Sequence, residues 1–173
     1  EPYRRQRQMC IRDRSYPVVQ GQDNEYYLDR LFDGSYNASG CLFLDSRCEA
    51  RFASPNSIVY GHHMKDDSMF AALDGYKEQE FYEAHPSLLL LTPGGDYEAQ
   101  VFSAYVAPTD AAAWRLDFEG EGAYATWLAE VCAASRIETG LVPGQAERVL
   151  TLSTCSYEFS DARLVVHCVL REL

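Results

Sequence analysis

The chain has 173 residues, 47% of them hydrophobic, and a net charge of 15 − 26 = −11. That length suits one domain with a sizeable core, and that hydrophobic content excludes a disordered chain. The acidic balance argues against a nucleic-acid surface, which needs clustered Lys and Arg, and no run approaches the ~18 consecutive apolar residues of a membrane-spanning helix.

Residues 1–14 differ from the rest. Five arginines fall there, without apolar periodicity, in an otherwise acidic chain. The segment reads as non-native or disordered, with a native basic arm as the alternative, and the domain proper is expected over residues 16–173. No signal peptide is visible. Tyr16-Pro17-Val18-Val19-Gln20 reads as an edge strand, because proline donates no ladder hydrogen bond. Asn24 is a candidate N-cap for a helix over residues 25–32, with Leu28, Leu31 and Phe32 on one face. Short buried strands are predicted at residues 41–44 and 57–60. Asp66-Asp67 opens a short helix through Leu73, and a second covers residues 78–84. Residues 88–92 and 97–106 form a hairpin around Pro93-Gly94-Gly95-Asp96. Ala123, Trp127, Leu128 and Val131 share a face of an amphipathic helix placed within residues 119–140 and ended by Gly140 and Pro143. Two strands, residues 148–154 and 163–170, close the chain. The result is one mainly β domain with a few helices, in which a closed or nearly closed barrel would protect the strand edges.

The chemistry gathers where apolar runs stop. The run 149–155 places Leu150 and Leu152 on one face and Thr151, Ser153 and Cys155 on the other. If the leucines face the core, Cys155 faces a groove. Tyr60-Gly61-His62-His63-Met64 ends another run, and Gly61 allows an unusual backbone angle or a close approach. His62 and His63 compete for the same role, since successive residues point different ways. His167, two residues beyond Val165 in the last strand, reads as structural. Arg163 returns the chain after a short excursion, and its planar, always charged fork suits an oxyanion. A thiol to attack a carbonyl, an imidazole to carry the leaving amine's proton and a guanidinium to hold the oxygen are the parts of acyl transfer. Ordinary pKa values near ~8.5 and ~6.5 allow either a neutral thiol–imidazole pair with a small reactive fraction or an ionised one, and the sequence does not set that balance. The six cysteines show no C-x-x-C pair or paired metal-ligand spacing, and no EF-hand loop occurs. No metal or cofactor is expected. Cys41 and Cys48 could pair; the spacing does not decide it.

The Thr151-Leu152-Ser153-Thr154-Cys155 run with Arg163 on the next strand resembles the signature of the sortases, cysteine transpeptidases of Gram-positive bacteria. Further marks resemble class B in particular: Tyr16 to Gln20, Asp23-Asn24 with Tyr26-Tyr27-Leu28, Ile58 to Met64, Ser68-Met69-Phe70, Ser156-Tyr157-Glu158-Phe159 and Ala162 to Val166. The match spans about residues 16–173. It implies an eight-stranded sortase-type β-barrel with several short helices and one longer helix in the connection before the penultimate strand. It implies catalysis by Cys155, His62 (rather than His63) and Arg163, with Ser153 and Thr154 lining the substrate groove. The implied partners are surface proteins with a C-terminal sorting signal and an amino group of peptidoglycan, met on the extracellular face of the cell membrane through an anchor missing from this chain.

Alternatives remain at this level. Another cysteine enzyme, a papain-like hydrolase or a thiol L,D-transpeptidase, would place its histidine differently; papain-like enzymes put Cys before His, the reverse of the order here. A non-catalytic β-barrel binding module, a pilin-polymerising sortase and a zinc site built from His62, His63 and Cys155 are the others.

Overall fold

The computed structural model describes residues 7–155 and 160–173, with side chains for all of these except Cys155. Eight strands close into a barrel: β1 (Arg7–Ile11), β2 (Arg14–Val19), β3 (Leu42–Leu44), β4 (Asn56–Tyr60), β5 (Ser87–Thr92), β6 (Gly95–Ala107), β7 (Val149–Cys155) and β8 (Arg163–Glu172). Their order around the barrel is β1-β2-β3-β4-β7-β8-β6-β5, and β5 pairs back onto β1. β2–β3 and β4–β7 are parallel; the remaining pairs are antiparallel. The eight-stranded barrel agrees with the sequence expectation.

Period-two alternation builds two cores from the same strands. Leu150 and Leu152 of β7, with Leu164 and Val166 of β8, point inside among Met9, Leu42 and Leu90. Val149, Val165 and Val169 point outward, and the long β6–β7 connection covers them. That connection carries a 3-10 turn (Ala112–Trp114) and the helix α2 (Ala123–Ala133). Trp127, fully buried, and Leu128 and Val131 of α2 form the outer core with Phe102 and Tyr105 of β6. A smaller helix, α1 (Gln79–Ala84), follows a 3-10 segment (Phe70–Lys77).

Four expectations need correction. Residues 7–14 belong to a β1–β2 hairpin within the barrel: Met9 and Ile11 are buried, and β1 pairs with both β2 and β5. Gln8 and Cys10 alternate with those core positions, while Arg7 continues the inward face at the strand's start, a pattern too short to stand out beside five arginines. Residues 1–6 lie outside the described residues. β2 is no edge, since β1 and β3 flank it. The helix over 25–32 reduces to a 3-10 turn (Tyr26–Leu28), capped by Asp23 Oδ1, which accepts from the Glu25 and Tyr26 amides at 2.9 and 2.8 Å. A tight loop around Asp33-Gly34 stops it: Leu31 N–H donates to Ser35 O, and Gly34 takes φ 86°. Asn24, the expected cap, instead accepts from the Ser46 amide. Helix α2 is shorter than 119–140 because Ser135 and Arg136 leave it to bond Ala104 of β6 (Arg136 N–H to Ala104 O, 2.8 Å).

Candidate active site

Strand direction assembles the site. β4 and β7 run parallel, so their C-terminal ends share one end of the barrel, with Tyr60 level with Ser153. The ladder continues one step further, as Gly61 N–H donates to Ser153 O at 3.2 Å. β8 runs antiparallel to β7 and begins at that same end, with Arg163 opposite Cys155. The topology therefore brings His62, the backbone of Cys155 and Arg163 to one rim. The side chain of Cys155 and residues 156–159, including the class B-like Ser156-Tyr157-Glu158-Phe159, lie outside the described residues.

A cleft of about 390 Å³ opens at this rim, lined by His62, Ser153, Thr154 and Arg163. Leu28, Tyr60, Thr109 and Trp114 supply its walls. Gly61 is required there for close approach, not for an unusual backbone angle: a Cβ would sit 2.5 Å from Leu42 Cδ2 and 2.7 Å from Phe70 Cδ2. His62 Nε2 donates to the Leu28 carbonyl at 2.5 Å, which fixes the ring against the 3-10 turn. The backbone beyond it folds back, with Phe70 N–H donating to His62 O at 3.0 Å and His63 bridged to Met69. Met69 takes φ 57°, ψ −128°, a conformation disfavoured for a residue with a side chain. His63 turns away from the cleft and pairs through Nε2 with Asp74 Oδ2; Asp74 also meets Lys77. The two histidines thus have separate partners on separate segments.

Arg163 is half-buried, and Nη1 donates to the Ala162 carbonyl at 3.1 Å. Thr154 is buried, and its hydroxyl has no hydrogen-bond partner among the described residues. Ser153 Oγ accepts from Trp114 Nε1 at 3.0 Å, tying the β6–β7 connection to the cleft floor. Trp114 carried no sequence signal beyond being an aromatic in a long connection.

A second feature missed by sequence reasoning stands behind Tyr60. Asp45 is fully buried at the end of β3 and accepts from Arg47 Nε and Nη2 (3.0 and 2.9 Å), the Arg47 amide (2.9 Å) and the Tyr60 hydroxyl (2.8 Å). Burial alone would raise this carboxyl, but those hydrogen bonds outweigh it and hold the group at about 2. Burial, reinforced by the Asp45 charge, pushes the Tyr60 hydroxyl up, so it remains a neutral donor. A charged Asp directly after a buried strand was the available clue.

Behind β7 lies a buried polar chain. Tyr105 OH donates to His167 Nε2 (2.8 Å), His167 Nδ1 donates to Thr151 Oγ1 (2.8 Å), and Thr151 donates to Asn56 Oδ1 (2.5 Å). Asn56 Nδ2 donates to Arg115 O at 2.9 Å. Because Thr151 spends its proton on Asn56, it accepts from His167, which fixes a neutral, Nδ1-protonated imidazole. Burial lowers His167 to about 3. Thr151, on the predicted groove face of β7, is therefore sealed beneath the connection, while Ser153 one step along lines the cleft. Cys41 and Cys48 are both free and buried.

The sortase domain family matches residues 11–171. The chain belongs to the sortase family. Its relatives there are of class B. Sortase B of Staphylococcus aureus is 38% identical over 154 residues, 88% of this chain and 63% of the relative. A Staphylococcus aureus sortase B–substrate complex superposes with a TM-score of 0.91 at 33% identity, covering 99% of this chain and 81% of that one. A sortase B complexed with triglycine gives the same TM-score and identity, covering 99% and 82%. The chain spans just under two thirds of the length of the curated relatives it matches. Among the described residues of this sortase domain, no helix is long and apolar enough to cross a membrane.

Proposed function

We propose that this chain is a class B sortase: a cysteine transpeptidase that cleaves a C-terminal sorting motif after threonine and joins the protein to an amino group of peptidoglycan. The sorting motif is of the Asn/Ser-Pro-x-Thr-Gly/Asn type. Cys155, as thiolate, adds to the threonine carbonyl. Arg163 and backbone amides near the thiol hold the oxyanion. His62 protonates the leaving amine, and a thioester remains on Cys155. An incoming amine then displaces the sulfur and gives its proton to His62. In the observed ring orientation Nε2–H is engaged by the Leu28 carbonyl, so Nδ1 is the nitrogen that exchanges the proton. Ser153 and Thr154 line the groove for the motif. The domain works at the extracellular face of the membrane, where surface-protein substrates and wall precursors meet.

The observation that carries this reading is the convergence of His62, Arg163 and the Thr154-Cys155 backbone on one open cleft in a sortase-family chain. The substrate and triglycine complexes of sortase B relatives support peptide and amine partners of these kinds. The test is turnover of a fluorogenic sorting peptide, with and without triglycine. Cys155→Ala is expected to abolish cleavage while leaving thermal unfolding unchanged, and triglycine is expected to convert the product from acid to amide. Retained cleavage in Cys155→Ala ends the assignment.

A further inference from the structure

At the barrel end away from the cleft lies a larger cavity, about 620 Å³. β7 runs from this end to the cleft, and its seven residues span roughly 20 Å. Three of the nine lining residues are arginines (Arg7, Arg51 and Arg148), and none is acidic. That composition opposes the chain, which carries 26 carboxylates against 15 Lys and Arg. Among the described residues, no ion pair joins any of the three to a carboxylate. Two are already held in place. Arg148 donates to the Phe52 carbonyl at 2.7 Å and to Tyr97 OH at 3.4 Å, and lies 5.4 Å over the Tyr97 ring. Arg7 lies 5.7 Å over the Phe52 ring. Burial without a carboxylate lowers the Arg7 guanidinium below its usual value.

We propose that this cavity is an anion site that takes a phosphate group, separate from the cleft. The physical case is preorganisation. Guanidiniums pinned on aromatic faces, with N–H groups left over and no internal counter-ion, lose little entropy on meeting phosphate, whose oxygens match their planar fork. The volume exceeds a bare phosphate and leaves room for a glycerol or similar substituent. The phosphate could come from a lipid headgroup or from a free phosphate ester, and both present the same chemistry to the three arginines.

The test uses the full chain and two probes. Glycerol 1-phosphate is titrated by calorimetry at low salt, and co-sedimentation is measured with phosphatidylglycerol vesicles against phosphatidylcholine vesicles. Saturable binding at one site is expected, weakened about tenfold by Arg51→Gln and likewise by Arg7→Gln, with turnover of the sorting peptide unchanged. Arg148 is left intact because it also anchors the Phe52 backbone. Sedimentation with phosphatidylglycerol that Arg51→Gln abolishes assigns the headgroup, because a chain of net charge −11 is otherwise repelled by that surface. Soluble-ester binding alone assigns a free phosphate. Absence of saturable binding by either probe, or binding that both substitutions leave unchanged, overturns the proposal.

Discussion

Acid should destabilise this domain through one histidine. His167 titrates near 6.5 when unfolded and at about 3 in the fold, where burial excludes its charged form. Well above pH ~6.5 both states keep the ring neutral, and pH has no hold on it. Below that, the unfolded chain binds a proton that the folded chain refuses, so stability falls with pH until the folded group titrates too. From pH 7 to 5 the loss is about 2 kcal/mol; since pH 5 lies well above the folded value, only the unfolded pKa matters. For a domain of this size that corresponds to a fall in Tm of about 4–8 °C. The other resolved shifts lie outside this window: the lowered carboxylates Asp23, Asp33, Asp45 and Asp66 lose their contributions only below about pH 4, and the raised Tyr and Cys groups titrate above about pH 8. Urea unfolding at pH 7, 6 and 5 measures the loss. His167→Gln, which still hydrogen-bonds but does not titrate, should be less stable at pH 7 yet nearly flat across the range. An equal fall in the variant, or no fall in the parent, refutes the reasoning.

Three further outcomes follow from the cleft. Gly61→Ala should cost about 1–3 kcal/mol by overpacking against Leu42 and Phe70, and should lower kcat as well as Tm because His62 is the next residue; a variant with parental kcat places the strain elsewhere. Arg163→Lys should lose at least about tenfold in kcat/KM, since an ammonium lacks the planar fork, with thermal unfolding little changed. His62→Ala should abolish transpeptidation, whereas His63→Ala, by freeing the Asp74 contact outside the cleft, should be mild; peptide cleavage by the two variants decides between them.

The strands were legible where burial on one face writes alternation into the chain. β7 and β8 show this best, because their inner leucines and outer valines serve two different cores. The rim of the site was legible for the same reason, since His62, Cys155 and Arg163 stand at run ends. Other features depend on contacts distant in sequence. Nothing local places Trp114 against Ser153, 39 positions away, or Asp45 beneath Tyr60. The turn at 26–28 fails as a helix because backbone bonds around Asp33-Gly34 compete with it. The β1 strand was hidden because only Met9 and Ile11 of its five residues face the core, amid arginines.

The most direct measurement is the intact mass of the protein mixed with a sorting peptide and quenched in acid. A thioester carrying the peptide up to its threonine, mapped to Cys155 and discharged by triglycine, is the expected result. Steady peptide cleavage with no adduct on that residue, or an adduct on another cysteine, contradicts it.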